Sequence, residues 1–221
     1  MSATTRPGVT RRALLIGAVA AGGGCDYVYY RTWEKLGREK RDILARRVAN
    51  SREVQEKAKE QFQTTLERFQ ELTGFEGGDL EKAYEKLAKE YERSEERAQR
   101  VRNRIQDIEQ VARDLFREWG REIGEISSRN LRAQSERLLR ETEERYEELI
   151  AKMRAAEAKM EPVLAAFRDQ TLFLKHNLNA RAIQSLDATS LQIDREVAAL
   201  VAEIEASIAE ADEFVAELAA T

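Results

Sequence analysis

The sequence predicts an all-α protein, an elongated antiparallel bundle of about four long amphipathic helices with coiled-coil packing. Three observations predict it. The 221 residues contain only two prolines, and every glycine lies within the first 124 positions, so the Gly/Pro punctuation that strands require is missing. Charged residues make up 35% of the chain, and apolar residues recur among them every three or four positions. Three polar or glycine-rich interruptions divide this pattern into segments of about 30 to 55 residues, each long enough for a helix but too amphipathic to stand alone.

Residues 1–24 read as a leader rather than as part of the fold. Arg6, Arg11 and Arg12 form a basic start with no acid before Asp26, and the apolar run from Ala13 to Ala21 is followed by three glycines and Cys25. That run is well short of the ~20 residues that a spanning helix needs. A small-residue run ending in the only cysteine resembles a bacterial lipobox, in which the thiol is acylated; Gly22 stands where a leucine is usual. Arg11 and Arg12 resemble a twin-arginine export signal, although paired basic residues also occur in ordinary leaders. Asp26 resembles an inner-membrane retention signal. The expected location is therefore the bacterial cell envelope, lipid-anchored and periplasm-facing, with the inner membrane slightly favoured. The leader carries three of the 37 basic residues and none of the 41 acidic ones, so its removal leaves a net charge of −7. Such a surface is a poor match to nucleic acid, which requires clustered Lys and Arg.

Residues 25–221 are expected to form one helical domain. The first helix, about 30–72, carries Leu44, Val48, Val54, Ala58, Phe62, Leu66, Phe69 and Leu72 in one stripe and stops at Gly74-Phe75-Glu76-Gly77-Gly78. Asp79 is placed to cap the second helix, about 80–126. Its two interleaved seven-residue registers run from Leu80 to Leu115 and from Tyr84 to Ile126, and predict a left-handed supercoil. After Ser127-Ser128-Arg129-Asn130, a third helix is expected over about 131–185, with Pro162 kinking or interrupting it. The last turn is expected at Leu186 to Ser190, with Thr189 or Ser190 as cap. A fourth helix then follows over about 190–219, with Ile193, Val197, Leu200 and Ile204 in its stripe.

Chemistry is sparse. A di-iron bundle needs Glu-x-x-His on two helices, and the one histidine, His176, has Phe173 three positions before it. The glycine turn lacks the Lys-Ser/Thr of a phosphate loop. Glu122 is the one acid that falls in the register of the second helix. The expectation is thus a non-enzyme without cofactor or metal. One stretch departs from the pattern: Phe167 to Ile183 is apolar nearly all round, which suggests contact with more than one neighbour. Arg181 falls in its apolar stripe, where it would need a partner. Phe75, Lys175, His176, Asn177, Asn179 and Arg181 are the candidates for a structural polar network or a partner-contact surface.

At this stretch the chain resembles an uncharacterised family of bacterial envelope lipoproteins, domain of unknown function 2959. The likeness rests on Lys40-Arg41-Asp42-Ile43-Leu44, Phe75-Glu76-Gly77-Gly78-Asp79-Leu80, Leu115-Phe116-Arg117-Glu118-Trp119 and above all Leu172 to Ala180. It implies a lipoprotein signal, a helical coiled-coil domain and no established activity. A DNA-repair label borne by some members conflicts with the acidic charge and the leader. Two readings of function follow. One is a scaffold tethered to the bilayer through acylated Cys25 that contacts an unknown envelope protein and no nucleic acid. The other is a bundle that holds a lipid or small hydrophobic ligand. A cytoplasmic DNA-associated coiled coil is a weaker third reading. In the bundle, the glycine turn and the His176–Ile183 segment are expected to meet at the end remote from the anchor.

Overall fold

A computed structural model describes residues 25–75, 77 and 79–220, with side chains from Lys40 onward except at 76, 78, 180, 187, 188 and 220. The described residues form four helices, α1 (Cys25–Thr73), α2 (Leu80–Glu125), α3 (Arg129–His176) and α4 (Ala180–Ala220). The bundle is a compact unit of its own, Leu36–Thr221.

Cross-helix bonds fix the topology. On the α1–α2 seam, Arg47 donates to Asp107 at 2.9 Å and Gln61 to Glu90 at 2.8 Å. Between α2 and α3, Arg102 reaches Glu161 at 2.6 Å and Arg154 reaches Glu109 at 2.7 Å. Arg145 binds Glu217 between α3 and α4 at 2.6 and 2.7 Å. Arg52 to Asp212 and Lys59 to Glu205, both at 3.4 Å, close the ring between α4 and α1. In the α1–α2, α2–α3 and α4–α1 seams the partner number falls as the first rises, so these pairs are antiparallel; α3 and α4 must then be antiparallel too, and the chain runs up, down, up, down.

The core follows the predicted stripes, with instructive departures. Phe62, Phe69, Phe167 and Phe214 are fully buried, as are Leu44, Leu87, Ile108, Leu149 and Met160. In α2 the stripe holds from Leu87 to Trp119, then moves to Ile123 instead of Glu122 or Ile126. Ile126 is the C-cap residue, its N–H bonded to the Ile123 carbonyl. In α1 the buried positions include Ser51, Gln55 and Thr65, while Val54 and Leu66 are only partly buried. The apolar pattern at the start of α3 does not enclose a core: Leu131 and Leu138 are exposed. The Arg145–Glu217 pairing sets the last turn of α4 opposite that region, leaving the first turns of α3 beyond its reach.

The boundary between the third and fourth helices requires correction. It lies at Asn177–Asn179, not at 186–190, and the polar run Leu186–Ser190 is inside α4. Thr189, one of the two residues expected to cap, instead bonds back to the Leu186 carbonyl at 3.0 Å, as Ser185 does to Ala182 at 2.6 Å, which lets a Ser/Thr-containing run stay helical. Pro162 does not interrupt α3, which continues through it with the ring on the exposed face. The predicted leader, with Arg11 and Arg12, lies outside the described residues, as does the side chain of Cys25.

Candidate functional site

Of the predicted site residues, most lie at one turn, and capping explains them. The Asn177 backbone N–H donates to the Leu174 carbonyl at 3.1 Å, and its Nδ2 donates to the Phe173 carbonyl at 2.9 Å. Two otherwise orphaned acceptors at the end of α3 are thereby satisfied. Two residues on, the Asn179 Oδ1 accepts from the Ala182 N–H at 3.0 Å, capping α4. Lys175 supplies positive charge in the last turn of α3, where the helix dipole favours it, and His176 stands beside it. The string Lys-His-Asn-Leu-Asn therefore encodes a tight connection between antiparallel helices.

Two expectations at this segment do not hold. Arg181 is exposed and lies outside the core stripe, whereas Ala182 and Ile183 are buried. The break at Asn177 to Asn179 resets the helical phase, so a stripe extrapolated from Leu174 through the turn misplaces every residue beyond it. Leu172, Phe173 and Leu178 are 51%, 41% and 36% exposed rather than packed on a second neighbour. Phe75, in the other turn, is half-buried against the core, and Asp79 Oδ1 accepts from the Lys82 N–H at 3.0 Å as expected. The antiparallel order puts both turns at the same end of the bundle.

Sequence reasoning missed a second cluster at the opposite end. There Lys40 forms an ion pair with Glu118, and the Arg41 guanidinium lies 4.0 Å from the ring centre of Trp119. The Trp119 indole N–H donates to the Ser135 hydroxyl at 3.1 Å, tying α3 to the node. Glu122 completes it: burial, with repulsion from Glu118 and Glu125, raises its carboxyl above the usual glutamate value. Burial likewise lowers the Arg41 pKa, against the pull of Glu122. Two of the strings that carry the family likeness, residues 40–44 and 115–119, thus meet in space. The signal was present in Arg41 and Trp119, a basic and an aromatic residue bordering apolar stripes, but only the antiparallel pairing of α1 with α2 brings them together.

Two surface grooves are also present. One, of about 300 Å³, lies between α3 and α4 and is lined by Leu138, Thr142, Arg145 and Phe214 among others. The other, of about 510 Å³, is lined by Pro162, Val163, Leu191 and Arg195 among others. Among the described residues no group of His, Cys, Asp and Glu is placed to hold a metal ion. None of the described helices is long and apolar enough to cross a membrane. No curated protein and no solved structure matches the chain. The family described as "Protein of unknown function (DUF2959)" does match, over residues 29–218, and the chain belongs to that family.

Proposed function

We propose that the protein is a cell-envelope lipoprotein, tethered to the bilayer through acylated Cys25, in which the helical bundle serves as a scaffold that holds contact surfaces at its ends. The observation that carries this reading is the filled core. Fully buried Phe62, Phe69, Phe167 and Phe214 and large aliphatics occupy successive layers of all four helices. Such a seam supports a rigid spacer more than a container for a guest. The polar and aromatic residues that departed from the helical pattern sit at the two ends, where a spacer would make its contacts. A lone cysteine at the junction of a leader-like segment supports the anchor.

The anchor is tested by Cys25→Ala. Metabolic labelling with an alkyne fatty acid should mark the wild-type chain and not the variant, and the variant should move to the soluble fraction. Replacing Arg11 and Arg12 by Lys should block export only if the twin-arginine route is used. The competing reading, a lipid- or ligand-holding bundle, is favoured only by the two grooves, whose rims carry charged Arg145, Glu141, Lys159 and Arg195. Native mass spectrometry of the membrane-extracted protein would favour that reading if a stoichiometric apolar guest survived.

A further inference from the structure

The two turns that share one end of the bundle carry opposite charge. From Phe69 to Glu81 there is no Lys or Arg, and Glu71, Glu76, Asp79 and Glu81 crowd the connection between α1 and α2. From Gln170 to Leu186 there is no Asp or Glu, and Lys175, His176 and Arg181 flank the connection between α3 and α4. Glu71, Asp79, Glu81, Lys175, His176 and Arg181 are all exposed. Glu71 pairs with Arg68 on its own helix, and among the described residues Lys175 and Arg181 form no ion pair with the acidic turn beside them. The exposed apolar side chains Leu172, Phe173 and Leu178 belong to the basic turn. The acidic turn offers exposed Gly77, at φ 147°, and half-buried Phe75.

We infer that this end is a self-complementary face whose occupant is a second copy of the chain, docked end to end. The turns run side by side, about one helix spacing of ~10 Å apart. A two-fold axis lying in the end face, parallel to the two turns, therefore sets each basic turn over the acidic turn of the other copy. Lys175 and Arg181 then face Glu71 and Glu81, and Leu172, Phe173 and Leu178 lie over the turn that carries exposed Gly77. An anionic bilayer or an acidic protein would match the basic turn and be repelled by its neighbour. Only a surface bearing both signs in the reverse order satisfies both, and this chain is such a surface. Two helices abreast make an end face about 20 Å across, hence ~400 Å² per copy, below the ~800 Å² of a stable interface. The contact is weak and reversible, and high local density on a shared surface favours it. It requires neither the lipid nor export.

The experiment uses the full chain, produced in cells in two differently tagged forms, with a photo-crosslinking residue at Phe173. The expected product is an adduct of twice the chain mass that carries both tags. Lys175→Glu with Arg181→Glu should cut its yield at least about tenfold, and Glu71→Lys with Glu81→Lys should do the same, because each places like charges face to face. Co-producing the two reversed chains should restore the adduct between them and not within either. Circular dichroism should show unchanged helicity in both, since all four positions are exposed. If a reversed chain loses helicity, the wild-type adduct in a lysate decides: salt at about 1 M, where the Debye length falls to ~3 Å, should suppress it. A dominant adduct with another protein or with lipid overturns the proposal. So does no adduct, or a two-tag adduct indifferent to both charge and salt.

Discussion

Gln55 is 3% exposed and faces the core, yet neither its Nε2 nor its Oε1 has a hydrogen-bond partner among the described residues; the hydroxyl of Ser207, fully buried on α4, is likewise unpartnered. Such groups lose their water on folding and gain nothing in return, at about 1–3 kcal/mol each. Gln55→Leu, which keeps the volume and removes the polar atoms, should therefore stabilise the bundle by about 1–2 kcal/mol in urea unfolding. A loss of stability would mean that the amide is satisfied by a buried water. Counting apolar positions could not find these residues, because it skips polar ones and so took Val54 for the stripe in place of Ser51 and Gln55. Glu122 is a second residue-scale case, with a sign that can be worked out. Its folded carboxyl titrates above the unfolded one because burial, Glu118 and Glu125 all oppose its charge. The folded state is thus relatively favoured while the group is protonated, below the ordinary glutamate pKa, and loses that advantage as pH rises through the elevated folded value. Glu122→Gln should raise stability at neutral pH and remove part of the decline in stability with rising pH just above that ordinary value, as thermal melts across a pH series would show. Equal shifts at every pH would rule out titration as the cause.

The elements were legible to different degrees, and the difference lies in how each turn is built. The glycine cluster after α1 breaks the chain through conformational freedom, with Gly77 at a φ that other residues rarely adopt, and that signal is local and unmistakable. The turn at Asn177–Asn179 contains neither Gly nor Pro and works through amide side chains that replace lost helical bonds. Asn can also sit within a helix, so the Ser/Thr-containing run ten residues later drew the boundary to itself. The two candidate starts of α4 are separable by mutation. Asn179→Ala should cost about 1 kcal/mol, as should Asp79→Ala at the start of α2, because each removes a carboxyl or amide oxygen from an N-terminal amide. Ser190→Ala should change stability by less than about 0.5 kcal/mol, being a substitution inside a helix by a better helix former. If Ser190→Ala proved the costlier change in urea unfolding, the boundary would belong where the sequence pattern first put it.

At the scale of the whole bundle, the many charges matter less than their number suggests. Arg52 with Asp212 and Lys59 with Glu205 span α1 and α4 at the surface, where an ion pair is worth about 0–1 kcal/mol. Phe62 on α1 is fully buried, and its truncation to Ala would cost about 3–5 kcal/mol. The core therefore fixes which helices meet, while the charges disfavour the wrong register. The order up, down, up, down is the part of the fold on which every argument about the ends depends, and it can be measured directly. Spin labels at Glu71 and Lys175, both exposed, should lie about 15–25 Å apart, because the turns they border belong to antiparallel hairpins packed ~10 Å from one another at the same end. Labels at Leu131 and Lys175 lie at opposite ends of α3, and ~1.5 Å per residue over that interval gives about 65 Å if the helix runs straight through Pro162. A pronounced bend at the proline would shorten the second distance and leave the first unchanged. A parallel arrangement of the two hairpins would instead lengthen the first to more than about 50 Å, carrying Glu71 to the end where α3 begins. With that result the acidic and basic turns would no longer share an end, and the self-complementary face would not exist.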